Sequence, residues 1–137
     1  MNQPCLEFRE GLLRDNPQSG QTARDVSVSL ERLGDFLAGR GQAGDAEKAL
    51  GHYERSLEVS EGLLRDNPQS GQAARDVIVS CYKLGLFELQ LGKQDCALTF
   101  LKRCFTLLES FIREDRPVDP PMRALHEKLK PLFTEPK

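Results

Sequence analysis

The amino-acid sequence predicts an all-α fold, an α-α superhelix of antiparallel helix pairs with two full repeats between an N-terminal and a C-terminal half repeat. The first observation is internal repetition: the segment from Glu10 to Gln21 returns unchanged as Glu61 to Gln72, an offset of 61 − 10 = 51 residues. The second is the helical spacing of the apolar residues. The sequence has no alternating run of β-branched residues that would predict a strand. An unchanged repeat of this length indicates duplication of one structural unit.

The first full repeat, residues 21–66, contains two predicted helices. Four apolar residues at intervals of four, three and four line one face of the first helix: Val26, Leu30, Leu33 and Leu37. This helix is expected from about residue 21 to 38, and the glycines at 39 and 41 end it. The second helix starts near Asp45, whose carboxylate suits the positive end of a helix, and it ends before Pro68.

The second full repeat, residues 72–113, repeats this plan with a shorter turn. Its helices are expected at about residues 72 to 91 and 93 to 113, with Gly92 marking the turn between them. Gly34 to Ala49 spans 15 positions in the first repeat, whereas Gly85 to Ala97 spans 12 in the second. The turn of the first repeat is therefore three residues longer, and we expect it to be the looser of the two.

Half repeats are predicted at both ends of the chain. Residues 1–15 align with the second helix of a repeat, because Leu6–Gly11 matches Leu57–Gly62 at the same offset of 51. Residues 120–133 align with a first helix, on which Met122, Leu125 and Leu129 form one apolar face. We expect this last helix to be cut short at Pro131 and to cap the array.

Small and aromatic residues recur at matched places in the two full repeats. The first repeat has Leu33-Gly34, Ala49, Tyr53 and Pro68, and the second has Leu84-Gly85, Ala97, Leu101 and Pro117. This pattern resembles the tetratricopeptide repeat, in a long-repeat, bacterial-like variant, because the unit is 51 residues long where the standard one has about 34. The family's usual tryptophan is replaced by Leu30 and Cys81. The glycine and alanine of each repeat would let the two helix backbones approach closely.

One face of the first helix differs between the two repeats. Ser27, Glu31, Asp35 and Ala38 form it in the first repeat, and Ile78, Tyr82, Leu86 and Leu89 form it in the second. In the family resembled, this face lines the concave groove in which peptides bind. The resemblance implies a protein-interaction scaffold whose partner offers an apolar anchor and an acidic group, with Lys83 and Arg32 on the rim. Binding of chaperone tails is not expected, because the terminal-carboxylate clamp of that family is not evident here.

A structural role is the alternative prediction. The apolar face of the second repeat would then be covered by Leu132-Phe133 or by a second copy of the chain. The same alternative includes homodimerisation through the N-terminal half repeat. The apolar residues of that half repeat are Leu6, Phe8, Leu12 and Leu13. In that case there is no peptide groove, and the protein is a self-associating repeat module.

Charge and motif content exclude several other classes of function. The 19 basic residues are interspersed with 21 acidic ones, so nucleic acid and membrane are not expected partners. No segment has the length and apolarity of a membrane span, and the first residues lack the pattern of a signal peptide, which predicts a cytoplasmic protein. His52 and His126 are far apart, the cysteines lack CxxC spacing, and the repeated glycine-containing segment lacks the lysine of a phosphate-binding loop. We therefore expect no metal, no cofactor and no enzymatic activity.

Overall fold

The computed structural model describes residues 20–134, with side chains described from Ala23 onward. This part of the chain forms five helices and no strand, which confirms the all-α class over these residues. The helices are α1 Gly20–Arg40, α2 Asp45–Asp66, α3 Gly71–Gln90, α4 Gln94–Arg113 and α5 Pro120–Phe133. The bounds of α1 to α4 differ from the expected ones by at most two residues.

The C-terminal helix α5 has the predicted bounds of residues 120 and 133, but it is not cut short at Pro131 as expected. Proline removes only its own backbone N–H from the helix, and the next turn is still closed by the Thr134 N–H, which donates to the Lys130 carbonyl at 3.1 Å. The ring of Phe133 also packs against Phe105 of α4, with 5.7 Å between the ring centroids. This contact holds the final turn in place.

Side chains at the helix ends explain where the helices start. The Ser70 hydroxyl accepts a hydrogen bond from the Ala73 N–H at 3.0 Å, and Asp119 accepts one from the Met122 N–H at the same distance. The turn between α1 and α2 is organised around Asp45, which accepts two hydrogen bonds from Arg40 and one from the Gln42 N–H. One carboxylate thus joins both ends of the longer turn.

Consecutive helices pack against each other in antiparallel pairs. Ser27 near the start of α1 contacts Ser56 of α2, and the other end of the pair is joined by Arg40 and Asp45. In the second pair the Cys104 thiol of α4 donates to the Ile78 carbonyl of α3 at 3.2 Å. Contacts from Arg24 to Asp76 and from Asp35 to Lys83 place α1 and α3 side by side, running in the same direction.

The core extends over both repeats and includes side chains from all five helices. Its largest fully buried apolar side chains come from three helices: Leu57, Val59, Val77, Leu84, Phe100 and Leu108. Close approach of α3 and α4 depends on Gly85, because a Cβ atom there would lie 2.7 Å from Leu101 Cγ and 3.4 Å from the Ala97 carbonyl oxygen. The small residue at this position thus sets the distance between the two helices, as its place in the repeat predicts.

Candidate partner-binding face

Three side chains of α3, Tyr82, Leu86 and Leu89, form what we term the exposed stripe. Their spacing of four and three residues places them on one face of the helix. Leu86 is 40% exposed and Leu89 is 43% exposed, whereas Leu84 on the same helix is completely buried. Tyr82 is half-buried beside them. The helix thus offers solvent a short apolar surface that the rest of residues 20–134 does not cover.

Ile78, the fourth residue of the predicted stripe, is part of the core. Its side chain is 3% exposed, and with Leu108 of α4 and Met122 of α5 it lines a cavity at the start of α3. The prediction that Ile78 contributes to a partner-binding surface is corrected for this reason. It lies one helical turn before Tyr82, where the close approach of α4 and α5 covers α3.

Lys83 connects the second repeat to the first. Its Nζ lies 2.9 Å from Asp35 Oδ2 and 3.7 Å from Glu31 Oε1, both on α1. The second oxygen of Asp35 accepts a hydrogen bond from the Tyr53 hydroxyl at 2.7 Å. Lys83 is therefore engaged by two carboxylates of its own chain, and the expectation that it meets an acidic group of a partner is corrected.

The two carboxylates respond differently to this environment. Burial raises the pKa of Glu31, and the charge of Lys83 offsets that effect only in part. Partial burial alone would also raise the pKa of Asp35, but the hydrogen bonds from Tyr53 and Lys83 and the charge of Lys83 outweigh it. The pKa of Asp35 is therefore lowered, so this residue is a carboxylate at neutral pH and keeps its interaction with Lys83.

Lys128 of α5 borders the exposed stripe on its other side. Its Nζ lies 3.4 Å from the Tyr82 hydroxyl and 6.0 Å from the centroid of the Tyr82 ring. Lys128 lies outside the predicted rim of Lys83 and Arg32. The alignment of α5 with the first helix of a repeat was the available signal, because it places α5 next to α3. Arg32, the other predicted rim residue, is exposed on α1.

The C-terminal residues leave the exposed stripe open. Phe133 packs against Phe105 and the core, Leu132 is 56% exposed, and Leu86 and Leu89 remain accessible up to the end of the described chain at Thr134. The alternative in which Leu132-Phe133 covers the stripe is corrected by these contacts. The predicted self-association residues, Leu6, Phe8, Leu12 and Leu13, lie outside the described residues.

The remaining polar groups of residues 20–134 give no second site of this kind. Within that range no group of three or more His, Cys, Asp and Glu side chains is arranged to hold a metal ion. His126 is buried, stacks on Phe105 and lies 3.0 Å from Glu109 Oε2, so it packs α5 onto α4. None of α1 to α5 is long and apolar enough to cross a membrane.

Comparisons of the chain with protein-family models, with curated proteins and with solved structures found no match.

Proposed function

We propose that the protein is a tetratricopeptide-like scaffold that binds a peptide or a partner protein through the face formed by α1 and α3. The observation that carries the proposal is the exposure of Leu86 and Leu89 on one face of α3. Both positions are polar or small in the first repeat, where Asp35 and Ala38 stand 51 residues earlier. The two repeats therefore differ in polarity at the surface that would contact a partner.

The chemistry of this face favours an apolar anchor. Full burial of a leucine side chain stabilises a complex by roughly 1.5–3 kcal/mol, so covering two leucines that are 40% and 43% exposed contributes about 1 kcal/mol each. On the α1 side, the charge of Lys83 is offset by two carboxylates, Glu31 and Asp35, so this side of the stripe offers a partner no free positive charge. Lys128 supplies a positive charge beside Tyr82, so an acidic group of the partner would fit on the α5 side of the stripe.

A peptide-display selection against the full chain tests this proposal, followed by affinity measurements on the selected peptides. Leu86→Glu should weaken their binding by about tenfold or more, because a carboxylate would be buried against the apolar anchor. Leu98→Glu is the matched control, since Leu98 is 41% exposed but lies on α4. Circular dichroism should show the same helix content for both variants.

Two results would refute peptide capture at the exposed stripe. One is a selection that returns no peptide above background, and the other is equal affinity of the selected peptides for the wild type and Leu86→Glu. Loss of helix content in Leu86→Glu would identify Leu86 as a structural residue, in which case Leu89→Glu provides the second measurement on the same face.

Self-association is the second candidate function, and exposed side chains on α1 favour it. Val26, Leu33 and Phe36 are 37%, 48% and 61% exposed, which is unusual for three large apolar residues of one helix. Light scattering over a range of protein concentrations distinguishes the two functions. A dimer that Leu33→Glu dissociates would assign the exposed side chains of α1 to a second copy of the chain. A dimer that Leu86→Glu dissociates would assign the exposed stripe to that copy and would refute the peptide proposal.

A further inference from the structure

An apolar patch on α1 has a buried counterpart in the second repeat. The patch consists of Val26, Leu33 and Phe36, which are 37%, 48% and 61% exposed. Val77, Leu84 and Phe87 stand 51 residues later, on the same face of α3, and are 0%, 0% and 9% exposed. The same three residue types are thus core in one repeat and surface in the other.

This difference in exposure arises from the helix that precedes α1 or α3 in the chain. In the second repeat, α2 covers this face of α3, and the ring of Phe87 meets Tyr53 edge-on with 5.5 Å between centroids. Leu57 of α2 is 0% exposed and Leu64 is partly buried against the same core, so this helix contributes its own apolar side chains to it. Among residues 20–134, no element precedes α1 to do the same.

The chain carries a second copy of the covering sequence ahead of α1. Glu10–Gln21 is identical to Glu61–Gln72, and Leu6 aligns with Leu57. We propose that residues 6–15 cover the α1 patch in the place that residues 57–66 hold against α3. Leu6 and Leu13, which align with Leu57 and Leu64 of the core, are then an internal contact of the chain and are not available for dimerisation.

A charge pair supports this register independently of the apolar contacts. In the second repeat, Arg103 of α4 donates two hydrogen bonds to Glu61 of α2, at 2.9 and 2.7 Å. The equivalent of Arg103 in the first repeat is Arg55, 103 − 55 = 48 residues earlier, and the equivalent of Glu61 is Glu10. Arg55 is exposed on α2. Its charge is therefore available at the position where the repeat places the carboxylate of Glu10.

Thermal unfolding of the full chain tests the apolar part of the proposal. Leu33→Ala should lower the melting temperature by about 6 °C or more if the patch is covered, because the substitution then leaves a cavity. Leu98→Ala is the matched control: Leu98 is 41% exposed on α4, and its replacement should shift the melting temperature by about 1 °C or less. The shift for Leu33→Ala should not depend on protein concentration.

A charge exchange tests the register and does not require any variant to lose an apolar contact. Arg55→Glu and Glu10→Arg should each lower the melting temperature, and the double exchange should recover most of the loss. Three results would overturn the proposal. The first is a melting-temperature shift for Leu33→Ala as small as that of Leu98→Ala. The second is a shift for Leu33→Ala that grows with dilution, which would identify a second copy of the chain as the occupant. The third is a double exchange whose melting temperature is no higher than that of the single variants.

Discussion

Glu88 of α3 occupies the position that Leu37 holds in α1, 88 − 37 = 51 residues earlier, and both side chains are buried, at 2% and 9% exposure. One carboxyl oxygen of Glu88, Oε1, has no hydrogen-bond partner. Burial raises the pKa of Glu88, and the charge of Lys93 offsets that effect only in part. A carboxyl group thus stands where the repeat has a leucine, and its ionisation opposes folding.

Replacing Glu88 with leucine should therefore stabilise the protein, and more so at pH 7 than at pH 4. An unfolded glutamate ionises around pH 4.3, whereas the folded-state pKa of Glu88 lies above its ordinary value. The destabilising effect is absent below the unfolded pKa and grows as the pH rises toward the folded one. We expect a gain of about 1–3 kcal/mol at pH 7 by urea unfolding. Glu127→Leu, at an exposed position of α5, is the control. If Glu88→Leu raised the free energy of unfolding equally at pH 4 and pH 7, ionisation of Glu88 would not be the cause.

Three buried serines replace apolar residues in the first repeat. Ser27 Oγ lies 2.8 Å from Ser56 Oγ and 3.1 Å from Ser60 Oγ, and the Ser56 hydroxyl donates to the Ser27 carbonyl at 2.9 Å. Their counterparts in the second repeat are Ile78, Cys104 and Leu108. The same helix crossing therefore has a hydrogen-bonded group of three hydroxyls in the first repeat, whereas the second repeat has apolar side chains and one thiol hydrogen bond, from Cys104 to the Ile78 carbonyl.

Ser27→Ala should destabilise the protein by about 1–3 kcal/mol, because it removes the central member of a buried hydrogen-bonded group. The triple replacement of Ser27 by Ile, Ser56 by Cys and Ser60 by Leu copies the second repeat and should recover most of that loss. Urea unfolding measures both variants. A triple variant less stable than Ser27→Ala would show that the backbones at the two crossings differ too much for the exchange.

The helices were predictable from the sequence because their limits depend on local chemistry. Proline, glycine and the 51-residue repeat place the helix ends without knowledge of the tertiary structure. The surface was less predictable because exposure depends on where other helices pack. Ile78 has the same helical spacing as Leu86, but the approach of α4 and α5 covers it. The interaction of Lys83 with Asp35 likewise requires the register between α1 and α3, which helical spacing within one helix does not contain.

Gly85 is expected to tolerate no side chain. An added Cβ would approach Leu101 within 2.7 Å, and Leu101 is itself buried at 4% exposure, so the two helices would have to separate. Gly85→Ala should cost about 1–3 kcal/mol by urea unfolding. Gly51→Ala is the control, because nothing lies within 4 Å of a Cβ at that position of α2. There, alanine should stabilise the helix by about 0.5–1 kcal/mol, and a loss of stability in both variants would argue against the packing explanation.

The Arg40–Asp45 pair should make the turn between α1 and α2 sensitive to acid. The two hydrogen bonds from Arg40 hold the pKa of Asp45 at about 2 in the folded protein, below the unfolded value of about 3.9. The contribution of the pair is therefore complete above the unfolded pKa and is lost as the pH falls from about 4 through 2. Asp45→Asn should lower the melting temperature at pH 7, and its difference in melting temperature from the wild type should narrow as the pH is lowered across this range.

Asp95→Asn, in the first turn of α4, controls for the general effect of removing a carboxylate from a helix start. A difference between Asp45→Asn and the wild type that stays constant from pH 7 to pH 3 would show that the shape of the asparagine, and not the lost charge, is responsible.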